Sequence, residues 1–114
     1  LFINQFPDHN SDKITGKINL VVLLGKKLSR WIFLLNITLI IFLSYLLKEV
    51  FIENISDFNG NVYSIIISIL ALYGLIISVG LFKNYKNRSL VYYNIQTIYY
   101  QIFFCFGIII SFYF

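Results

Sequence analysis

The sequence predicts an all-α protein, a polytopic membrane helix bundle with three transmembrane helices, and two observations carry this prediction. Hydrophobic residues make up 59% of the 114 residues and charged residues only 12%, whereas roughly 45–50% and about 25% are usual in soluble domains. Three uncharged stretches of 17, 25 and 26 residues also interrupt the distribution of charge. A chain this short could not bury so much apolar surface as a globule, which excludes a soluble enzyme domain.

The uncharged stretches run over 31–47, 58–82 and 89–114. A helix of 17 residues rises about 26 Å, which suffices for a hydrocarbon core of about 30 Å when the flanking side chains reach the membrane surface. The other two stretches leave room for turns at the interface. We therefore predict transmembrane helices over 31–48, 62–82 and 96–114. No alternating polar pattern suits a β-barrel, and open strands leave backbone groups unpaired in lipid.

Within the uncharged stretches, tyrosine and Cys105 are the only titratable side chains, which argues against a proton relay. Small residues such as Gly74 and Gly107 are expected at close helix contacts. Asn36 and Gln101 would suit a substrate cavity, although helix–helix hydrogen bonding is the commoner role of such residues. Cys105 lies in an aromatic run and is expected to remain a free thiol.

Basic residues alternate between the segments that separate the spans. Five lie in residues 1–30, one in the segment 48–61 and three in the segment 83–88. Because lysine and arginine are retained on the cytoplasmic side, this alternation predicts three crossings. The N-terminal and third segments are then cytoplasmic, the middle segment and the C-terminus are outside, and the protein is a multi-pass protein of the cell membrane.

The first thirty residues carry the most informative pattern. Asp8 and Asp12 are four residues apart, so on a helix they lie on one face. A hard cation such as Mg²⁺ would relieve their repulsion, since it binds oxygen ligands and often joins one or two carboxylates to substrate phosphates. Lys13 and Lys17 lie beside the pair, and lysine commonly contacts phosphate. The alternative is a solvated turn in which Asp8 caps a helix and Asp12 pairs with a lysine.

Residues 4–25 combine an Asp-x-x-x-Asp motif with a Gly-Lys pair, a short apolar strip and a Leu-Gly pair. The segments are Asn4-Gln5-Phe6-Pro7-Asp8, Asp12-Lys13, Gly16-Lys17, Asn19-Leu20-Val21-Val22 and Leu24-Gly25. This pattern resembles the second aspartate-rich motif of the UbiA-type membrane prenyltransferases. The Asn-x-x-Pro-Asp and Gly-Lys elements are most similar to the branch that prenylates 1,4-dihydroxy-2-naphthoate in menaquinone synthesis.

The resemblance implies a nine-helix prenyltransferase fold, of which this chain would be the C-terminal third. It implies Mg²⁺ as the cofactor, a polyprenyl diphosphate and an aromatic acceptor as substrates, and membrane lipid as the surroundings. By the same resemblance, Asp8 and Asp12 are metal ligands, whereas Lys13, Lys17 and Asn4 contact the diphosphate. No residue is assigned to proton transfer, and no role in nucleic-acid binding is implied.

One motif of that family is absent from the chain. The first aspartate-rich motif, Asn-x-x-x-Asp-x-x-x-Asp, does not occur, and the chain opens on Leu1 rather than on methionine. We expect the chain to begin within the helix that leads into the second motif and to be inactive alone. The alternative from another class is a non-catalytic membrane scaffold or transporter subunit with three helices. Within the enzyme class, 4-hydroxybenzoate or a glycerol-based lipid would be other acceptors.

Overall fold

The computed structural model describes residues 2–87 and 89–113, and over these residues the chain is helical with no strand. A 3-10 turn, Phe2–Asn4, leads into helix α1, and three long helices follow. The helices are α1 (Gln5–Ile14), α2 (Leu20–Asn54), α3 (Gly60–Asn84) and α4 (Leu90–Ser111). The predicted all-α fold class is thereby confirmed.

Three of these helices, α2, α3 and α4, are long and apolar enough to cross a membrane, as the uncharged stretches predict. Helices α2 and α3 extend beyond the predicted spans at both ends. Helix α4 begins six residues before its span and ends at Ser111, and Phe114 lies outside the described residues. The bundle is 54 Å long, well above the roughly 30 Å of a hydrocarbon core, so helix ends project into the interface.

Asparagine caps the start of two of the long helices. The Asn19 side chain accepts a hydrogen bond from the Val22 N–H at 2.9 Å at the start of α2. Asn59 accepts bonds from Asn61 and Val62 N–H, both at 3.1 Å, at the start of α3. These bonds satisfy N–H groups that have no partner within a helix.

Helix α2 is interrupted once, at Gly25. Its φ of 74° and ψ of 155° are not helical, and a positive φ is a conformation that glycine adopts without steric cost. Residues 20–24 are therefore a short helical segment with its own direction, ahead of the apolar part of α2. The Ser29 hydroxyl donates to the Gly25 carbonyl at 2.9 Å, so the backbone at the break retains a partner.

Helix α3 is the centre of the bundle, because it packs against both α2 and α4, whereas the backbones of α2 and α4 do not approach each other within the described residues. Its buried side chains recur three, four or seven residues apart, the spacing of a helix face enclosed by neighbours. They are Tyr63, Ile67, Leu70, Ile77 and Leu81. The expected close contacts at small residues are also present, since a Cβ at Gly74 would lie 2.7 Å from Ile37 and one at Gly107 would clash with Ile66.

Candidate functional site

Helix α1 carries both aspartates of the predicted site. Pro7 lies in its first turn, where a missing N–H is tolerated. Phe6 is fully buried and anchors the helix to the bundle. Asp8 is exposed, and its carboxylate makes no hydrogen bond or ion pair with the described residues. Asp12, one turn later on the same face, is buried with 8% of its surface exposed.

The Asp12 carboxylate is held by two side chains. Asn19 Nδ2 donates to Asp12 Oδ2 at 2.7 Å, and Lys17 Nζ lies 3.5 Å from Asp12 Oδ1. The Lys17 side chain is 68% exposed, so solvent screens this ion pair and its contribution to stability is small. The shorter bond to Asn19 is the one that orients the carboxylate.

The turn after α1 explains the Gly-Lys pair of the motif. Gly16 has a φ of 74°, the left-handed conformation with which helices commonly end. The following Lys17 N–H returns to the Asp12 carbonyl at 2.9 Å. The glycine thus reverses the chain so that the side chain of Lys17 comes back to the aspartate.

Asn4 and Lys13 are not part of this cluster. Asn4 is exposed at the start of α1 and makes no capping bond through its side chain. Lys13 is exposed in the last turn of α1 and forms no ion pair within residues 2–87 and 89–113. Of the predicted diphosphate contacts, the structure brings Lys17 to Asp12 and leaves Asn4 and Lys13 on the exposed surface of the same segment.

Two residues of the motif segments to which the sequence analysis assigned no role complete the cluster. Asn19 joins the acidic helix to α2, because the same side chain that donates to Asp12 also caps α2. Gln5 Oε1 accepts a hydrogen bond from the Val21 N–H at 3.4 Å, a second connection between the two helices. An asparagine before an apolar run is a recognisable capping signal, but its second bond, to Asp12, has no signature in the sequence.

Asp8 and Asp12 can supply only part of the coordination of a magnesium ion, which takes an octahedral set of oxygen ligands. No group of three or more histidine, cysteine or acidic side chains that could hold a metal occurs in the described part of the chain. Two carboxylates one helical turn apart are nevertheless the protein contribution that Mg²⁺ commonly uses, with water and phosphate oxygens completing its coordination. Asp8, whose carboxylate has no partner among the described residues, and the oriented Asp12 would hold the ion.

An apolar groove lies between α2 and α4, with a volume of about 650 Å³. Phe2 and Ile3, just ahead of α1, form part of its wall, so the groove adjoins the acidic helix. Asn36 and Gln101, the two polar residues named above as suited to a cavity, both line it. Tyr100 also lines it and is 6% exposed, and its hydroxyl has no hydrogen-bond partner within the described residues.

Neither a protein-family model nor a curated protein nor a solved structure matches the chain. The fold and the arrangement around Asp12 are therefore the observations from which a function is inferred.

Proposed function

We propose that the chain is the C-terminal part of an integral-membrane prenyltransferase of the UbiA type. It would transfer a polyprenyl group from its diphosphate to an aromatic acceptor such as 1,4-dihydroxy-2-naphthoate, with Mg²⁺ as the cofactor, at the cytoplasmic face of the cell membrane. The observation that carries the proposal is the Asp12 carboxylate, oriented by Asn19 and contacted by Lys17, one helical turn from the free carboxylate of Asp8.

The side chains of the cluster would have different roles in binding a diphosphate. Asp8 and Asp12 supply carboxylate oxygens, and Asn19 keeps the second carboxylate in a fixed orientation. Lys17 has an exposed, flexible side chain, so it reaches a phosphate without rearrangement of the backbone. The bound metal would supply positive charge that stabilises the departing pyrophosphate. The residues themselves bind and orient the metal and the diphosphate, and none of them is required to transfer a proton.

The groove between α2 and α4 would accommodate the polyprenyl chain of such a substrate. A polyprenyl chain is apolar and needs a concave apolar surface with few polar groups. The groove between α2 and α4 has this character, and it lies next to the helix that carries the two aspartates. The Tyr100 hydroxyl and the Asn36 and Gln101 amides would be the hydrogen-bonding groups available to an aromatic acceptor.

A non-catalytic scaffold or transporter subunit is the second candidate. It is favoured by the small number of metal-binding groups, since the chain has only five acidic residues and the described part has no cluster of three metal ligands. The two candidates differ in one measurable property, because only the enzyme requires Asp8 and Asp12 to bind a divalent cation together with a diphosphate.

Electron paramagnetic resonance of Mn²⁺, used in place of Mg²⁺, tests this property. The purified chain in detergent micelles is titrated with Mn²⁺ in the presence of geranyl diphosphate. We expect Asp8→Ala and Asp12→Ala each to weaken Mn²⁺ binding at least tenfold. The matched controls Glu53→Ala and Asp57→Ala, which change acidic residues at the other end of the bundle, should bind as the unsubstituted chain does.

An activity assay completes the test. In the protein expressed from its whole reading frame, Asp8→Ala or Asp12→Ala should abolish Mg²⁺-dependent prenyl transfer while leaving membrane insertion intact, and the 114-residue chain alone should show no turnover. Unchanged Mn²⁺ binding in both variants, or transfer that survives both changes, would contradict the proposed function and favour the scaffold.

A further inference from the structure

Basic residues of two helices meet at one end of the bundle, which we call the basic end. It is formed by the residues that precede the apolar part of α2 and by those at the end of α3. Its members in the described part of the chain are Lys26, Lys27, Arg30, Lys83 and Lys86. The opposite end of the same two helices contains Lys48, Glu49, Glu53 and Asp57 and is net acidic.

Arg30 holds the basic end together. Its guanidinium carbon lies 4.8 Å from the centre of the Phe82 ring and 4.5 Å from that of Tyr85. Trp31, the next residue, packs edge to face on Phe82 with 4.8 Å between the ring centres. Cations over aromatic faces are favourable, and several such contacts on one guanidinium fix its position. The start of the apolar part of α2 and the end of α3 are thereby kept side by side.

Among the described residues, the lysines of the basic end form no ion pair. Asp12–Lys17 is the ion pair that the described residues form, and no acidic residue occurs between positions 13 and 48 or after Asp57. Lys27, Lys83 and Lys86 are exposed. The charge of these lysines is therefore available to an anion from outside the chain.

The surroundings of the lysines indicate what that anion is attached to. Trp31 and Tyr85 are aromatic residues of the kind that lies at the boundary between lipid and water. Directly beyond them, along α2 and α3, apolar side chains are exposed, among them Leu35 at 65% and Val79 at 52%. A ligand with a phosphate group joined to acyl chains matches both parts of this surface, whereas a soluble phosphate matches only the lysines.

We propose that the basic end binds the headgroup of an anionic phospholipid, with Lys83 and Lys86 on the phosphate and the acyl chains along the exposed faces of α2 and α3. Basic residues next to the ends of membrane helices bind acidic headgroups electrostatically, each contributing about 1 kcal/mol near the surface, or about a fivefold effect on affinity. This proposal does not depend on the proposed enzymatic function.

Trp31 provides the measurement, because it is the single tryptophan of the chain and packs within the basic end. Its fluorescence is recorded in bilayers that contain phosphatidylglycerol or phosphatidylcholine brominated on the acyl chain near the headgroup. We expect brominated phosphatidylglycerol to quench Trp31 several-fold more effectively than brominated phosphatidylcholine at equal content. The preference should fall at high ionic strength.

The variants separate headgroup binding from general effects of charge. Replacing Lys83 and Lys86 with alanine should reduce this several-fold preference to nearly equal quenching by the two lipids. Replacing both with arginine should keep it, as should Lys48→Ala at the other end. Equal quenching by the two lipids, or a preference that survives the double alanine variant, would overturn the proposal. Loss of the preference on adding millimolar inorganic phosphate would also overturn it, because the site would then bind the free anion.

Discussion

Asn19 is the residue whose side chain contributes both to the acidic cluster and to the start of a membrane helix. It donates to Asp12 at 2.7 Å and accepts from the Val22 N–H at 2.9 Å. The two bonds can be separated by substitution, since serine caps a helix nearly as well as asparagine but is too short to provide the same amide donor.

On the proposed function, Asn19→Ser should therefore keep the cap of α2 and impair the binding of metal through loss of the bond to Asp12, whereas Asn19→Ala should lose both the cap and this bond. We expect either change to weaken Mn²⁺ binding in the presence of geranyl diphosphate by about 10–100-fold, the effect usual for a residue that orients a metal ligand. The alanine variant should in addition lower the free energy of unfolding by about 0.5–2 kcal/mol through loss of the cap.

Electron paramagnetic resonance measures the affinity for Mn²⁺. Circular dichroism during unfolding in mixed micelles measures the free energy of unfolding. Asn59→Ser is the matched control, because Asn59 caps α3 in the same way at the other end of the bundle. If Asn19→Ser bound Mn²⁺ as tightly as the unsubstituted chain, the bond between Asn19 and Asp12 would have no part in the binding of metal.

The sequence indicates only part of this cluster. Asp8 and Asp12 follow from a four-residue spacing that holds on any helix, and the Gly-Lys pair places Lys17 nearby. The contact between Asn19 and Asp12 depends on a turn in which Gly16 has a positive φ and reverses the chain. No periodicity describes such a turn, so the bond from Asn19 is seen only in the structure, whereas the pairing of Asp12 with a lysine was already part of the alternative interpretation of the sequence.

At the scale of elements, the contact between α3 and α4 depends on a glycine. The Tyr93 ring lies against the backbone of Gly80, and an added Cβ would clash with it. Gly80→Ala should lower the free energy of unfolding by about 1–3 kcal/mol, the usual cost of overpacking a tight contact. Unfolding in mixed micelles, followed by circular dichroism, gives this difference.

Removing the ring should remove the penalty. In a Tyr93→Ala background, Gly80→Ala no longer produces a clash. It should therefore lower the free energy of unfolding by less than it does in the unsubstituted chain, and a double-mutant cycle measures this difference. Additive effects of the two substitutions would show that the ring does not determine how closely the helices approach.

The positions of the long helices were more predictable than their lengths. Charged residues are excluded from the hydrocarbon core, so the uncharged stretches locate the three helices. Their ends are not defined in this way, because lysine and glutamate are good helix formers outside the membrane. Helix α2 accordingly continues through Lys48 and Glu49 to Asn54, where an extended Ile55 ends it.

At the scale of the whole molecule, the distribution of charge predicts the orientation in the membrane. The basic end should face the cytoplasm and the segment between α2 and α3 the outside. Cys105 is the only cysteine, so a Cys105→Ser background allows single cysteines to be introduced. Asp57→Cys should react with a membrane-impermeant maleimide in intact cells, and Lys86→Cys only after permeabilisation. The reverse labelling pattern would refute this orientation.

The central position of α3 has a consequence for the width of the groove. The backbones of α2 and α4 do not approach each other within the described residues, so their separation depends on the N-terminal turn Phe2–Asn4 and on what α3 places between them. At that point there is a glycine, Gly74, where an added Cβ would lie 2.7 Å from Ile37 and 3.3 Å from Tyr100. A larger residue in place of Gly74 would push α2 and α4 apart. The groove would then change in width although the residues of its wall stayed the same. A substitution at Gly74 would thus change the width of the groove from a position that is not itself part of its wall.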